Sequence, residues 1–328
     1  MQWSRGGLGP RSLLAAGIVL ALMAGVAGCA QQGSSSKSNR HFTVGLAEIS
    51  TTIPFLAVMD KAFTTQATKL GMSTVVLDAK LSDSTQASNI ATLVAQKVDL
   101  IVVVSSSARS VVTAINKAQA SGIPVIALNA APGPGAKVVT YVGDSDYDYG
   151  AGEGKLLVEA LPNGGRIAVI LGPKGDTPTS QRLAGLVSVI SHHNFHIVAT
   201  PTDDFDAAKN LSVTQDLLVR FHDGQLDAIV AEGPQMYAGA NYARKYGRSD
   251  VKFIAGDFPK EVRSAIKSGA LFGTVNQSPS LEGKMAAKYA HEWLIGNRGA
   301  VPQPRALIDL PLITATNVAS AQASWSLH

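Results

Sequence analysis

Apolar blocks and helical periods alternate along this chain almost without interruption from Phe42 onward. FTVGLAE at Phe42–Glu48 is a run rich in β-formers. Behind it Phe55, Val58, Met59, Ala62 and Phe63 recur at helical spacing, and Gly71 supplies a C-terminal stop. The pattern predicts further strands at Ser73–Ala79, Asp99–Val104, Ile123–Leu128 and Val138–Asp144, with helices from Asp83 and over Val111–Ala120. It then starts again. Strands are expected at Arg166–Gly172, His196–Thr202, Ala228–Gly233, Val251–Asp257 and Phe272–Ser278. Between and after them lie helices over about 149–160, 179–191, 209–219, 236–246, 262–268 and 281–295. Strands apolar on both faces belong in a buried parallel sheet with helices on both sides. Two consecutive doubly wound sheets fit this length better than one sheet of ten strands.

Ahead of that body the pattern changes. Arg5 and Arg11 precede an apolar run from Leu13 to Ala27, which is too short for a permanent span of ~20 residues. A basic start, an apolar stretch and small residues make residues 1–28 a secretory signal peptide. Cys29, the only cysteine, follows Val26-Ala27-Gly28 and resembles the lipobox of bacterial lipoproteins, whose cysteine carries the lipid. The other reading is a plain signal with an incidental cysteine. Residues 29–41, with the Ser-rich stretch Gln31–Arg40, read as a lipid-anchored flexible tether.

Loss of Arg5 and Arg11 with the signal lowers the formal charge from +4 to +2, and no block of like charges suggests a nucleic-acid surface. With Cys29 lipidated, disulfides and thiol catalysis are excluded. The chain has no Gly-x-Ser-x-Gly, zinc spacing or nucleotide fingerprint, so no cofactor is implied. His192, His193 and His196 lack a paired carboxylate and read as helix-end residues rather than metal ligands. GPKGDTPTS at Gly172–Ser180 lacks the Gly-Lys-Ser/Thr ending of a phosphate loop and reads as a mobile cleft loop.

In open parallel sheets, ligands bind beyond the carboxyl ends of the strands. That rule selects Glu48, Asp78, Ser105, Asn129, Asp144, the turn Asp203-Asp204-Phe205, Glu232, Gly233, Asp257 and Gln277. Two lobes facing through these ends would enclose a polar, acceptor-rich cleft. Periodicity alone makes Phe55 a core residue of its helix. Asp257 fits the N-cap of the helix after Pro259.

Several segments together resemble the sugar-binding proteins of bacterial ABC importers, the type I periplasmic binding fold, with ribose-binding proteins nearest. They are Pro54-Phe55, Lys69–Ala79, Gly122–Asn129, Asp204–Leu218, Ser249–Asp257 and Thr274–Gly283. The resemblance implies two lobes joined by a three-crossing hinge, with lobe one at 42–144 plus 278–305 and lobe two at 145–277 plus 306–320. It implies ligand contacts at Phe55, Asn129, Asp144, Arg182, Phe205, Asp257 and Gln277. Phe55, Phe205, Asp257 and Gln277 match the ribose-type pattern. Leu56 replaces an aromatic, Ile53 an amide, Asn129-Ala130 an Asp-Arg pair, and Gly233 an asparagine. The helix arginine aligns with Ser180, two positions before Arg182. Lost hydroxyl partners cost several kcal/mol, so ribose is expected to bind poorly and a short polyol or deoxy sugar better.

The resemblance thus implies a lipid-anchored, monomeric, non-enzymatic binding component of a carbohydrate importer at the outer face of the plasma membrane. It would clamp a small sugar or polyol by hinge closure and deliver it to an ABC permease. A receptor for a sugar or autoinducer-type signal is the alternative. A glycosidase, which needs only two carboxylates, is a third reading.

Overall fold

The computed structural model describes residues 40–107, 109–174, 177–323 and 325–327. The expected signal peptide, Cys29 and nearly all of the tether lie outside them, as do two residues of the expected Gly172–Ser180 loop, whose last four residues are instead the start of a helix. Strands β1 (Phe42–Glu48), β2 (Met72–Asp78), β3 (Leu100–Val103), β4 (Val125–Leu128) and β5 (Tyr141–Gly143) build a first sheet, completed by β11 (Arg305–Leu307) in the order β11-β5-β4-β3-β1-β2. Strands β6 (Gly165–Ile170), β7 (Phe195–Ala199), β8 (Ala228–Ala231), β9 (Lys252–Gly256) and β10 (Gly273–Val275) build a second, completed by β12 (Leu312–Thr314) in the order β12-β10-β9-β8-β6-β7. Two lobes with the same winding follow. All pairings are parallel except β10 with the edge strand β12.

The period-2 alternation of each strand fills a separate core on each face. In the first lobe, Leu46, Leu100 and Val102 pack under α1 (Pro54–Lys69) and α9 (Pro279–Leu294). Ala47, Ile101 and Val103 pack under α2 (Asp83–Ala95) and α3 (Val112–Ala120). In the second lobe, Ile167 and Val169 meet α4 (Asp146–Ala160) and α5 (Thr177–Ile190). Ala168 and Ile170 meet α6 (Ala207–Arg220), α7 (Met236–Lys245) and α8 (Lys260–Lys267).

Local chemistry sets the helix starts. Ser82, Ser145 and Asp206 cap α2, α4 and α6 by accepting from Thr85, Asp148 and Lys209 N–H groups. Pro54 and Pro279 occupy first turns, where no N–H is needed. Glycines permit close helix contact in the second lobe. A Cβ at Gly150 of α4 would lie 1.7 Å from the Arg182 carbonyl oxygen of α5, and one at Gly185 of α5 would lie 1.9 Å from the Tyr147 carbonyl oxygen.

Two features differ from the sequence reading. β11 pairs with β5 through Leu307, so the expected boundary between residues 305 and 306 falls inside a strand of the first sheet. The chain reaches the second sheet only at β12, which enters along the edge of β10 in the opposite direction. Asp257 does not cap α8; Pro259 stands at that N-cap, and the Asp257 carboxylate is held elsewhere.

No helix among the described residues is long and apolar enough to cross a membrane.

Candidate functional site

The carboxyl ends of the second sheet converge on one guanidinium. Arg182, on the second turn of α5, is buried and stacks on the Tyr149 ring with its carbon 3.9 Å from the centroid. Its Nε donates to Asp146 Oδ1 at 3.0 Å, and an Nη donates to the Glu232 carbonyl at 3.1 Å. Asp144, Asp146 and Asp257 all act on it electrostatically. The Gly150 contact makes this geometry possible, because α5 must lie against α4 for Arg182 to cover Tyr149. The Tyr149 hydroxyl in turn accepts the Asp257 N–H at 2.9 Å, with the Glu232 carbonyl and Asp257 Oδ1 each 3.2 Å away as acceptors for its own proton.

Around this cation the carboxyls outnumber the positive charge. Burial pushes Asp144 up to about 7, against the pull of Arg182 and of the Gln277 side chain. Burial raises Asp257 to about 6 and Glu232 to about 7, again opposed by Arg182. Glu153 and Glu282, both fully buried, are held well above the usual carboxylate range by desolvation and then by neighbouring acids. Asp144 Oδ2, Glu232 Oε1 and Glu282 Oε1 accept no hydrogen bond. They are buried polar atoms in want of partners, acceptors when the carboxyl is ionised and O–H donors when it is protonated, and the Asp144 oxygen sits where the chain first leaves the first sheet.

Phe205 is set by backbone. Both Asp204 and Phe205 adopt left-handed φ, at 53° and 57°. Asp203 is buried and fixes the turn: its Oδ1 accepts from Phe205 N at 2.9 Å and its Oδ2 from Asn210 Nδ2 at 2.7 Å. The ring then lies over Gly172 and Gly233, where added Cβ atoms would come within 2.3 and 3.1 Å of it. A Cβ at Gly233 would also come within 2.3 Å of Gln235 Oε1, so Gly233 leaves room for the Gln235 side chain first and the Phe205 ring second, a reason for its small size that sequence reading did not supply. Gln235 Nε2 donates to the Phe205 carbonyl at 2.8 Å.

Asn129 and Asp257 also carry left-handed φ, at 57° and 53°, each just beyond a strand end. Such backbone strain concentrates at functional positions. Asn129 Nδ2 donates to Glu282 Oε2 at 2.8 Å, and the Tyr141 hydroxyl donates to the Asn129 carbonyl at 2.6 Å. Gln277 is buried beside Asp144 where the chain leaves β10. Phe55, in the first turn of α1, is half-buried and meets the ring of Trp325 edge to face.

The matched family model spans residues 44–298 and describes a periplasmic binding protein domain. This chain belongs to the periplasmic binding protein family. Among curated proteins, the ribose import binding protein RbsB of Bacillus subtilis is 29% identical over 265 residues, covering 81% of this chain and 86% of that protein. A xylitol-binding protein of Mycolicibacterium smegmatis is 30% identical over 201 residues, covering 61% and 57%. The solved Caulobacter myo-inositol binding protein, with myo-inositol bound, superposes with a TM-score of 0.77 at 26% identity, covering 86% of this chain and 96% of that one.

Within this periplasmic binding protein, the structure brings Asp144, Arg182, Asp257 and Gln277 into one electrostatic cluster. Asn129 joins it through Glu282, whose carboxyl interacts with Asp144. Phe205 lies nearby, over the Gly233 that follows Glu232. Phe55 stands apart on α1, with Trp325 as its aromatic neighbour. Ser180, the aligned arginine position, is exposed, whereas Arg182 is buried in the cluster. Sequence reading missed Tyr149, Glu153 and Glu282, which sit at core-facing positions of helices. A charged residue at a buried helical position was the available signal. Other strand-end candidates serve local turns: Asp78 accepts from Thr51 Oγ1 at 2.9 Å and from Lys80 N at 2.8 Å. His192, His193 and His196 are exposed, and among the described residues no three His, Cys, Asp or Glu are grouped to hold a metal ion.

Proposed function

We propose that this protein is the lipid-anchored solute-binding component of a carbohydrate ABC importer, and that its cleft takes a short polyol or small sugar. The carrying observation is the excess of unpartnered carboxyl oxygens around Arg182. A polyhydroxylated neutral molecule supplies hydroxyls that both donate and accept, which suits these carboxyls ionised or protonated, and Arg182 supplies a donor for its oxygens. Phe205, and Phe55 across the cleft, offer apolar faces to C–H surfaces. Ligand bridging both lobes shifts the open and closed populations by its differential affinity, with no covalent chemistry. The relatives named above for ribose, xylitol and myo-inositol support the ligand class. Asn129 is held by Glu282 and Gly233 has no side chain, so two ribose-type partners are missing, which supports a polyol over ribose.

Calorimetry on the purified protein should find a polyol such as xylitol bound at least about tenfold more tightly than D-ribose, a gap of ~1.4 kcal/mol. Phe205→Ala and Asp257→Asn should each remove detectable binding while the fold persists by circular dichroism. Low-micromolar ribose binding would overturn the polyol preference, and full affinity in both variants would overturn the site.

The anchor has its own check. A Cys29→Ala chain is expected to leave the membrane fraction while binding ligand normally. Retention in the membrane fraction would sink the lipidation reading.

A further inference from the structure

The described residues after β12 touch both lobes. Val318 packs in the core of the second lobe with Ala321 and Ala323 against it, and the Ala319 carbonyl accepts from Arg263 of α8 at 3.4 Å. The Trp325 carbonyl accepts from Lys260 N at 2.9 Å, Ser326 Oγ donates to the Glu261 carboxylate, and Leu327 N donates to Glu261 Oε2 at 3.2 Å. The tail backbone is thus fixed to the start of α8, three residues beyond Asp257. Its ring goes the other way. Trp325 is only 4% exposed and meets Phe55 of the first lobe with centroids 5.6 Å apart and planes at 87°.

We infer that Trp325 is a ligand-site residue of this cleft, an aromatic wall carried by the second lobe that closes on Phe55 of the first. Three observations carry this. Phe55 is half-buried, packed against the first-lobe core, and the residue after it, Leu56, is buried within that core. The edge-to-face pair sets two aromatic rings together at the carboxyl-end side of the lobes, and aromatic surface of that kind packs against C–H faces. The contact also joins elements that belong to different lobes, so separating the lobes breaks it. Trp325 therefore bears on both ligand selectivity and the closed population, with its indole N–H as an additional donor.

This inference rests on the polyol reading, and its test separates the two. In the full chain carrying Trp3→Phe and Trp293→Phe, Trp325 is the sole tryptophan. Without ligand, its emission should resist acrylamide quenching, and Phe55→Ala should raise quenching several-fold. Quenching already at the level of an exposed indole would overturn the interlobe contact. On addition of xylitol, Trp325 emission should shift. Trp325→Ala should weaken xylitol binding at least about tenfold by calorimetry, whereas Trp325→Phe should stay within a few-fold. Unchanged affinity in Trp325→Ala overturns the assignment even if xylitol binds. If the unsubstituted protein takes up neither xylitol, D-ribose nor myo-inositol, the polyol reading falls and the ligand-site assignment of Trp325 falls with it, whatever the quenching result says of the interlobe contact.

Discussion

Replacing Arg182 with Met is expected to destabilise the protein by about 3–5 kcal/mol near pH 8 and to abolish ligand binding. The guanidinium sits among the carboxyls of Asp144, Asp146 and Asp257, and its Nη bonds the Glu232 carbonyl. Removing one partner leaves the others buried and uncompensated, which costs more than the pair itself contributes. The pH profile distinguishes this cause from lost packing. Asp144, Asp257 and Glu232 titrate near 7, 6 and 7 in the folded protein, above their ordinary values of 3.8, 3.8 and 4.5. Between about pH 4 and 7 the folded state keeps protons that the unfolded chain has released, so stability falls as pH rises through that window. Arg182 opposes all three shifts. Without it the folded values rise further, and the loss continues above pH 7. Denaturant titrations should therefore show a small cost for Arg182→Met at pH 5 and a large one at pH 8. A cost independent of pH would mean that the guanidinium acts by volume and not by charge.

The second large effect belongs to Gly150→Ala. The added methyl would meet the Arg182 carbonyl at 1.7 Å, with the Arg182 Cα 2.7 Å away. These are backbone atoms of a packed helix, so no side chain can rotate to make room. Overpacking costs ~1–3 kcal/mol where side chains yield, and this site should reach or pass the upper end. Moving α5 off α4 also lifts Arg182 from Tyr149, so binding should fall even in protein that remains folded. A control is Gly135→Ala in an exposed loop, where a Cβ meets nothing within 4 Å but φ is +90°. There only a modest backbone penalty is expected. Equal stability of Gly150→Ala and the unsubstituted protein by thermal denaturation would refute the close-packing argument.

The winding of both lobes was legible in the sequence for a physical reason. Buried parallel strands such as Leu100–Val103 and Ala228–Ala231 are apolar on both faces, and the helices between them carry a clear period. β11 and β12 were not legible as strands. Each has three residues at a sheet edge, too few for any period to register. The site was partly legible. Strand ends point to Asp144, Asp257 and Gln277, because topology alone brings such ends together. Tyr149 and Glu282 were hidden, since a helical period marks a position as buried without saying what lies opposite. Trp325 was hidden most completely, as its partners Phe55 and Lys260 are distant in sequence and its own segment is irregular.

The two edge strands have a consequence for biosynthesis. Each sheet receives its sixth strand from residues 305–314, and α9, which covers one face of the first core, begins only at Pro279. A ribosome making this chain in order has released all ten earlier strands before either sheet can be finished. Both lobes then reach their full strand complement within a few residues of each other. Neither lobe is a separate early product of translation, and both stay incompletely assembled until residues 305–314 have been made.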